Sequence, residues 1–151
     1  MQMTEGCDEG PVMEIAVIDI SARETLPSLT KKLVGKAGKL IVTSLKKAKK
    51  DGLLVQEQDH AAATHAHLLS KSDGRIDFSQ KSIDIDRQVR ALNPWPGTYV
   101  PLQENQNLKI HEAQPCADNG KAELGTVLEA ESTLKIKTSE GAIELLSVQP
   151  P

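Results

Sequence analysis

The chain has 151 residues, of which 38% are apolar and only 2% aromatic, so its core must be built from Leu, Ile, Val and Ala. A net charge of -3 gives no broad attraction to polyanions. No apolar run approaches the roughly 18 residues of a membrane span. The N-terminus lacks a basic stretch followed by an apolar one and predicts no secretory signal. Cys7 and Cys116 lie far apart and read as free thiols in a reducing cytosol.

In chain order, residues 1–11 are polar and punctuated by Gly6 and Gly10, hence a loop. Residues 12–20 are mostly apolar and rich in Val and Ile, which predicts a strand. Ser21 and Glu24 stand at capping-box spacing, with Thr25 as a second N-cap candidate. From Leu26 the apolar positions Leu29, Leu33, Leu40 and Ile41 recur in helical steps, and Asp51-Gly52 stops the helix. This stretch is basic: residues 21–52 hold nine Lys/Arg against two Asp/Glu, a surplus of seven. A polyanion partner and a solvated helix face both fit that block.

Residues 53–70 show no sustained period and read as a linker. Its His60, His65 and His67 are irregularly spaced with no cysteine nearby, which argues against a zinc site. A short helix begins at Ser82 and ends at Asn93-Pro94, because the residue before a proline is pushed out of the helical region. Trp95, between two prolines, is expected to serve packing rather than contact. Five short strands are then predicted, at 98–102, 108–113, 125–129, 134–138 and 142–148. Their turn residues are Asn105 to Asn107, Asp118 to Gly120 and Ser139 to Gly141, and the five-stranded OB-fold is the natural arrangement.

The stretch from Leu69 through Asp73-Gly74-Arg75-Ile76-Asp77-Phe78 resembles the linker-to-barrel motif of methionyl-tRNA formyltransferases. Asp86-Arg87-Gln88-Val89-Arg90-Ala91-Leu92-Asn93-Pro94-Trp95-Pro96-Gly97 follows at the family's spacing, then Leu108-Lys109-Ile110 and Gly125-Thr126-Val127-Leu128. Residues 1–10 resemble the last active-site loop of the family's catalytic domain.

The resemblance implies an α+β chain. Residues 1–52 would be the remnant strand and helix of a Rossmann-like formyltransferase domain, 53–70 a linker, and 71–151 a C-terminal OB-like barrel. It further implies a cytoplasmic enzyme that formylates the amino group of methionyl initiator tRNA. Its cosubstrate would be 10-formyltetrahydrofolate, bound by the intact enzyme and not by this chain. By resemblance Asp8 orients a catalytic His. The family's Asn and His partners and its folate loop would precede Met1, so this truncated piece is expected to be inactive alone.

Lys71, Arg75, Arg87 and Arg90 are the candidate tRNA contacts, with Arg87 and Arg90 three apart and expected to share a helix face. Asp73, Asp77, Asp84 and Asp86 are equally near and offer them salt bridges instead. Glu9, His65 and Leu68 stand where the family commonly has Thr, Tyr and Lys. The uncovered apolar face of the first helix predicts self-association. Two rival readings are a formyltransferase acting on a UDP-amino sugar and a stand-alone RNA-binding barrel module.

Overall fold

Two units divide the chain: Met1–Ala22 with Ser28–His67, and Arg23–Pro27 with Leu68–Pro151. The computed structural model describes residues 1–103 and 106–151, so Asn105 of the first expected strand turn lies outside them.

The first unit holds most of helix α1 (Leu26–Asp51), which starts directly after Thr25 and ends before Gly52 as the capping and stop residues predict. No residue of α1 is buried. Leu33, Val34, Ile41, Val42 and Leu45 are exposed. Lys47 pairs with Glu14.

The strand expected at 12–20 is not formed. Only Val12 makes a bridge, antiparallel to Gln56, and Ile15, Val17 and Ile20 are exposed. A β-strand exists only as part of a ladder, because its N–H and C=O groups need partners on a neighbour. Residues 12–20 have no such neighbour beyond Val12 among the described residues. Of the strand and helix expected there as a Rossmann-like remnant, only the helix is formed, and the remnant itself is not established.

The second unit is built on five antiparallel strands: β1 (Thr98–Pro101), β2 (Asn107–Cys116), β3 (Val127–Glu129), β4 (Leu134–Lys137) and β5 (Ala142–Gln149). Their order in the sheet is β1-β2-β5-β4-β3. No pairing joins the edge strands β1 and β3 among the described residues, so the sheet is a curled half-barrel rather than a closed barrel. Helix α2 (Ser82–Leu92) packs on β1, β2 and β5. Its Ile85, Val89 and Leu92, spaced by four and three, form one buried face. Ile85 and Val89 share one core with Ile110 and Ala113 of β2, Ile136 of β4, and Ile143 and Leu145 of β5.

Strict alternation would put Ile110 and Ala113 on opposite faces of β2. The register against β5 shifts between Ile110, Glu112 and Ala113, and this irregularity lets both side chains enter the core. Fully burying each large side chain of this set contributes about 1.5–3 kcal/mol. Trp95 is not among them. It is 59% exposed, which corrects its expected packing role. The segment from Asn93 to Gly97 lies outside helix and strand, and the core beneath is filled by aliphatic residues with Phe78 packed at its margin.

Candidate functional site

Asp8 sits in the N-terminal loop of the first unit, on a residue with φ of 56°. Aspartate is one of the few side chains that visit this left-handed region. Gln58 holds the loop: its side-chain amide donates to the Asp8 carbonyl at 2.9 Å and to the Gly10 carbonyl at 2.6 Å. A Cβ on Gly10 would stand 1.7 Å from the Gln2 carbonyl oxygen, so only glycine allows that approach. Asp8 lines a cavity of about 830 Å³ together with Glu9, Glu57, Asp59, His60 and His65. Four carboxylates and no Lys or Arg border that space. A loop of this composition can orient an imidazole or move a proton. It offers neither Lys nor Arg to an anionic ligand.

The four cations read from sequence as tRNA contacts occupy different settings in the second unit. Lys71 opens the 3-10 turn Lys71–Gly74 and is exposed, as is Arg75. Arg87 is 65% exposed and donates to Asp84 at 3.1 Å. Arg90 does not share that outward face. Its side chain is 15% exposed and donates to Asp86 at 3.0 Å and to the Glu24 carbonyl at 2.5 Å. Positions three apart differ by about 60° around a helix, enough here to separate a solvent-facing residue from an inward one. Asp86 itself is 2% exposed and also receives Arg23 at 2.7 Å, while Arg23 reaches the Ala113 carbonyl at 3.2 Å. Lys81 is taken by Glu140 at 2.6 Å.

A second cavity, of about 440 Å³, lies where this turn meets β1 and β2. Lys71, Tyr99, Lys109, His111, Pro94 and Pro96 are among its walls. Its rigidity begins at Ser70, whose backbone N–H donates to Asp73 at 2.6 Å and caps the Lys71 turn. The turn presses onto the end of the proline loop, just before β1, at Gly74, where a Cβ would stand 1.9 Å from the Gly97 carbonyl oxygen. Ile76 then donates its N–H to the Tyr99 carbonyl at 2.9 Å. The Asn93 amide bonds the Val89 and Ile110 carbonyls at 2.9 and 3.1 Å, which pins the proline loop to both α2 and β2. Sequence reasoning missed Lys109 and His111 here. Their spacing of two on a strand, which aims both at one face, was the available signal.

Other charges of the sheet serve its turns. Lys135 donates to Glu129 at 2.6 Å, and with the bond from the Ser132 hydroxyl at 2.7 Å this lowers the Glu129 carboxyl from 4.5 to about 2. Lys137, 10% exposed, donates to Asp118 at 2.6 Å and holds that carboxyl below its usual range, helped by the Gly120 N–H. Burial, with the nearby Glu144 carboxylate, raises the Cys116 thiol, which leaves it a poor nucleophile.

Residues 68–151 match the family described as formyl transferase, C-terminal domain. The whole chain is 37% identical to a methionyl-tRNA formyltransferase of Marinobacter nauticus and 36% identical to one of Hahella chejuensis. The aligned regions cover 49% and 48% of those proteins, so the chain spans about half the length of the curated relatives it matches. Among solved structures, the N-formyltransferase from Helicobacter canadensis in complex with folinic acid and dTDP-3-aminofucose shares the fold at a TM-score of 0.69. That match has 15% identity and covers 95% of this chain and 52% of that one. HypX from Aquifex aeolicus in complex with tetrahydrofolic acid gives 0.65 at 17% identity, over 97% of this chain and 26% of that one. By its match over the second unit, this chain belongs to the formyl transferase C-terminal domain family.

Proposed function

We propose that this chain supplies the tRNA-holding part of an enzyme that formylates the amino group of methionyl initiator tRNA. The observation that carries this reading is the 37% identity to a methionyl-tRNA formyltransferase across the full chain. The sugar N-formyltransferase shares only 15% and speaks to fold, so the tRNA reading is preferred to the amino-sugar one. The second unit is assigned the role of an OB-like RNA-holding domain. Residues 1–52 are assigned to the catalytic domain, 53–70 to a linker, and the setting of the whole enzyme to the cytoplasm.

Formyl transfer needs the attacking amine neutral, so a proton must leave it. Asp8 is assigned to that task, acting through a histidine contributed elsewhere in the whole enzyme. The donor, 10-formyltetrahydrofolate, carries carboxylates. The cavity beside Asp8 is bordered by four carboxylates and no Lys or Arg, so it does not fit that cosubstrate, and its seat is assigned to the rest of the enzyme. Lys71, Arg75 and Arg87 keep exposed side chains and are assigned to tRNA phosphates. The exposed Arg87–Asp84 pair is worth at most about 1 kcal/mol and yields readily to a phosphate. Arg90 acts behind them by fixing Asp86.

The test is formylation of methionyl initiator tRNA by the chain alone and by the chain fused behind the first half of the Marinobacter nauticus relative. The chain alone is expected to give no product and the fusion to give product. Asp8→Asn in the fusion should lower the rate by roughly 100-fold or more. Turnover by the chain alone, or a fusion active on a nucleotide-linked amino sugar and not on tRNA, would overturn the reading.

A further inference from the structure

We infer that the segment Arg23–Pro27 is a latch: it fastens the start of helix α1 to the second unit through the Asp86 carboxylate, and it opens while the sheet stays folded. The chain enters the second unit at Arg23, leaves it after Pro27 and returns only at Leu68. Helix α1 starts at Leu26, so its first two residues go with the second unit and the rest with the first. Beyond Pro27 the helix contains no proline that would break it, so whatever holds residues 23–27 fixes where α1 begins. Closed, the latch gives the chain a second fastening on that unit. Open, the chain reaches it only through the stretch before Leu68.

The hold is polar. Arg23 donates to Asp86 at 2.7 Å and to the Ala113 carbonyl at 3.2 Å, and Arg90 donates to Asp86 at 3.0 Å and to the Glu24 carbonyl at 2.5 Å. One carboxylate therefore gathers both sides of the contact, and Glu24 is buried beside it. No residue of the segment belongs to the apolar core. Its one large aliphatic side chain, Leu26, is 38% exposed. Thr25 and Pro27 border a cavity of about 530 Å³ together with Val89, Pro94 and Ser147, so the segment does not pack flush. Opening gives up guanidinium contacts and removes nothing from the packing of α2 on the sheet. It also leaves no buried charge alone. Arg90 remains on Asp86, while Arg23, already half exposed, passes into water. A carboxylate with one permanent and one releasable cation is what allows the contact to open and close again.

The experiment follows the 151-residue chain with a glutamate-specific protease and with nitrogen-15 relaxation of its amides. Arg23→Gln opens the latch and keeps the Arg90–Asp86 pair. Asp86→Asn removes the shared carboxylate, and Arg87→Gln, from the exposed pair with Asp84, is the control. Cleavage after the buried Glu24 is expected to be slow in the wild type and to rise at least about tenfold in Arg23→Gln, the factor that one charge-assisted hydrogen bond carries. Cleavage after the exposed Glu57 should keep its rate. Order parameters over residues 23–26 should fall from about 0.85 to below about 0.6, with the amide shifts of Val89, Ile110 and Ile143 unmoved. Asp86→Asn should match Arg23→Gln in cleavage after Glu24, and Arg87→Gln should match the wild type. Should Asp86→Asn fail to fold, Arg23→Gln decides alone, because its side chain is half exposed. Unchanged cleavage after Glu24 in Arg23→Gln overturns the inference. So do shifted core amides in that variant, which would make the segment part of the sheet's own fold, and so does an equal rise in Arg87→Gln.

Discussion

Asp86 is the residue on which the second unit's polar interior turns. Its carboxylate is 2% exposed and lies between Arg23 and Arg90, and these two guanidinium groups also satisfy the Ala113 and Glu24 carbonyls. Burying a charge is tolerable only when it is paired and hydrogen-bonded, and this cluster meets both conditions. Breaking a buried pair of this kind costs about 3–5 kcal/mol, because a partner such as Arg90, 15% exposed, stays behind with little water around it, while Arg23 remains half exposed. Asp86→Ala is therefore expected to destabilise the chain by about that amount in urea unfolding, and Asp84→Ala, on the exposed pair, by about 1 kcal/mol or less. Equal losses for the two variants would show that burial does not set the cost. The sequence places Asp84 and Asp86 in similar company, two residues apart. Only the packing of α2 against the sheet separates a surface carboxylate from a buried one.

At the scale of elements, the two helices differ in what covers them. Helix α2 packs on three strands and places Ile85 and Val89 in the core they share. Helix α1 carries an equally regular apolar stripe and buries none of it. Leu33, Val34, Ile41, Val42 and Leu45 in contact with water form the kind of patch that drives association. The isolated chain is expected to form dimers whose population rises with concentration in analytical ultracentrifugation. Leu33→Lys with Ile41→Lys should return it to a monomer. A wild-type chain that stays monomeric throughout a micromolar range would count against this. The same comparison explains the missing strand at 12–20. Its composition suits a buried parallel sheet, and a strand of that kind forms only beside its neighbours.

At the scale of the whole molecule, all the residues of the buried core belong to the second unit. Between Gly52 and Ser70 the chain has only the 3-10 turn His60–Ala62 and the isolated bridge at Gln56, with nearly every side chain exposed. Brief digestion with a broad-specificity protease is expected to cut first in this stretch and leave a resistant fragment running to Pro151. First cuts inside β2 or β5 would contradict that order of stability. Sequence alone determined the elements whose signals are local. Helix α1 between Thr25 and Gly52, helix α2 up to Asn93-Pro94, and the five strands between Gly, Asn and Ser turns all stand close to where periodicity and turn residues placed them. The family was legible for the same reason, since its motifs are contiguous words such as Asn93-Pro94-Trp95-Pro96-Gly97. The tertiary structure alone decided the strand order β1-β2-β5-β4-β3, the irregularity that buries both Ile110 and Ala113, and the inward turn of Arg90. It also decided the exposure of Trp95 and the meeting of Lys71 with Lys109. Each of these depends on which distant segment becomes a neighbour, and desolvation and pairing act on a side chain only after that neighbour is in place.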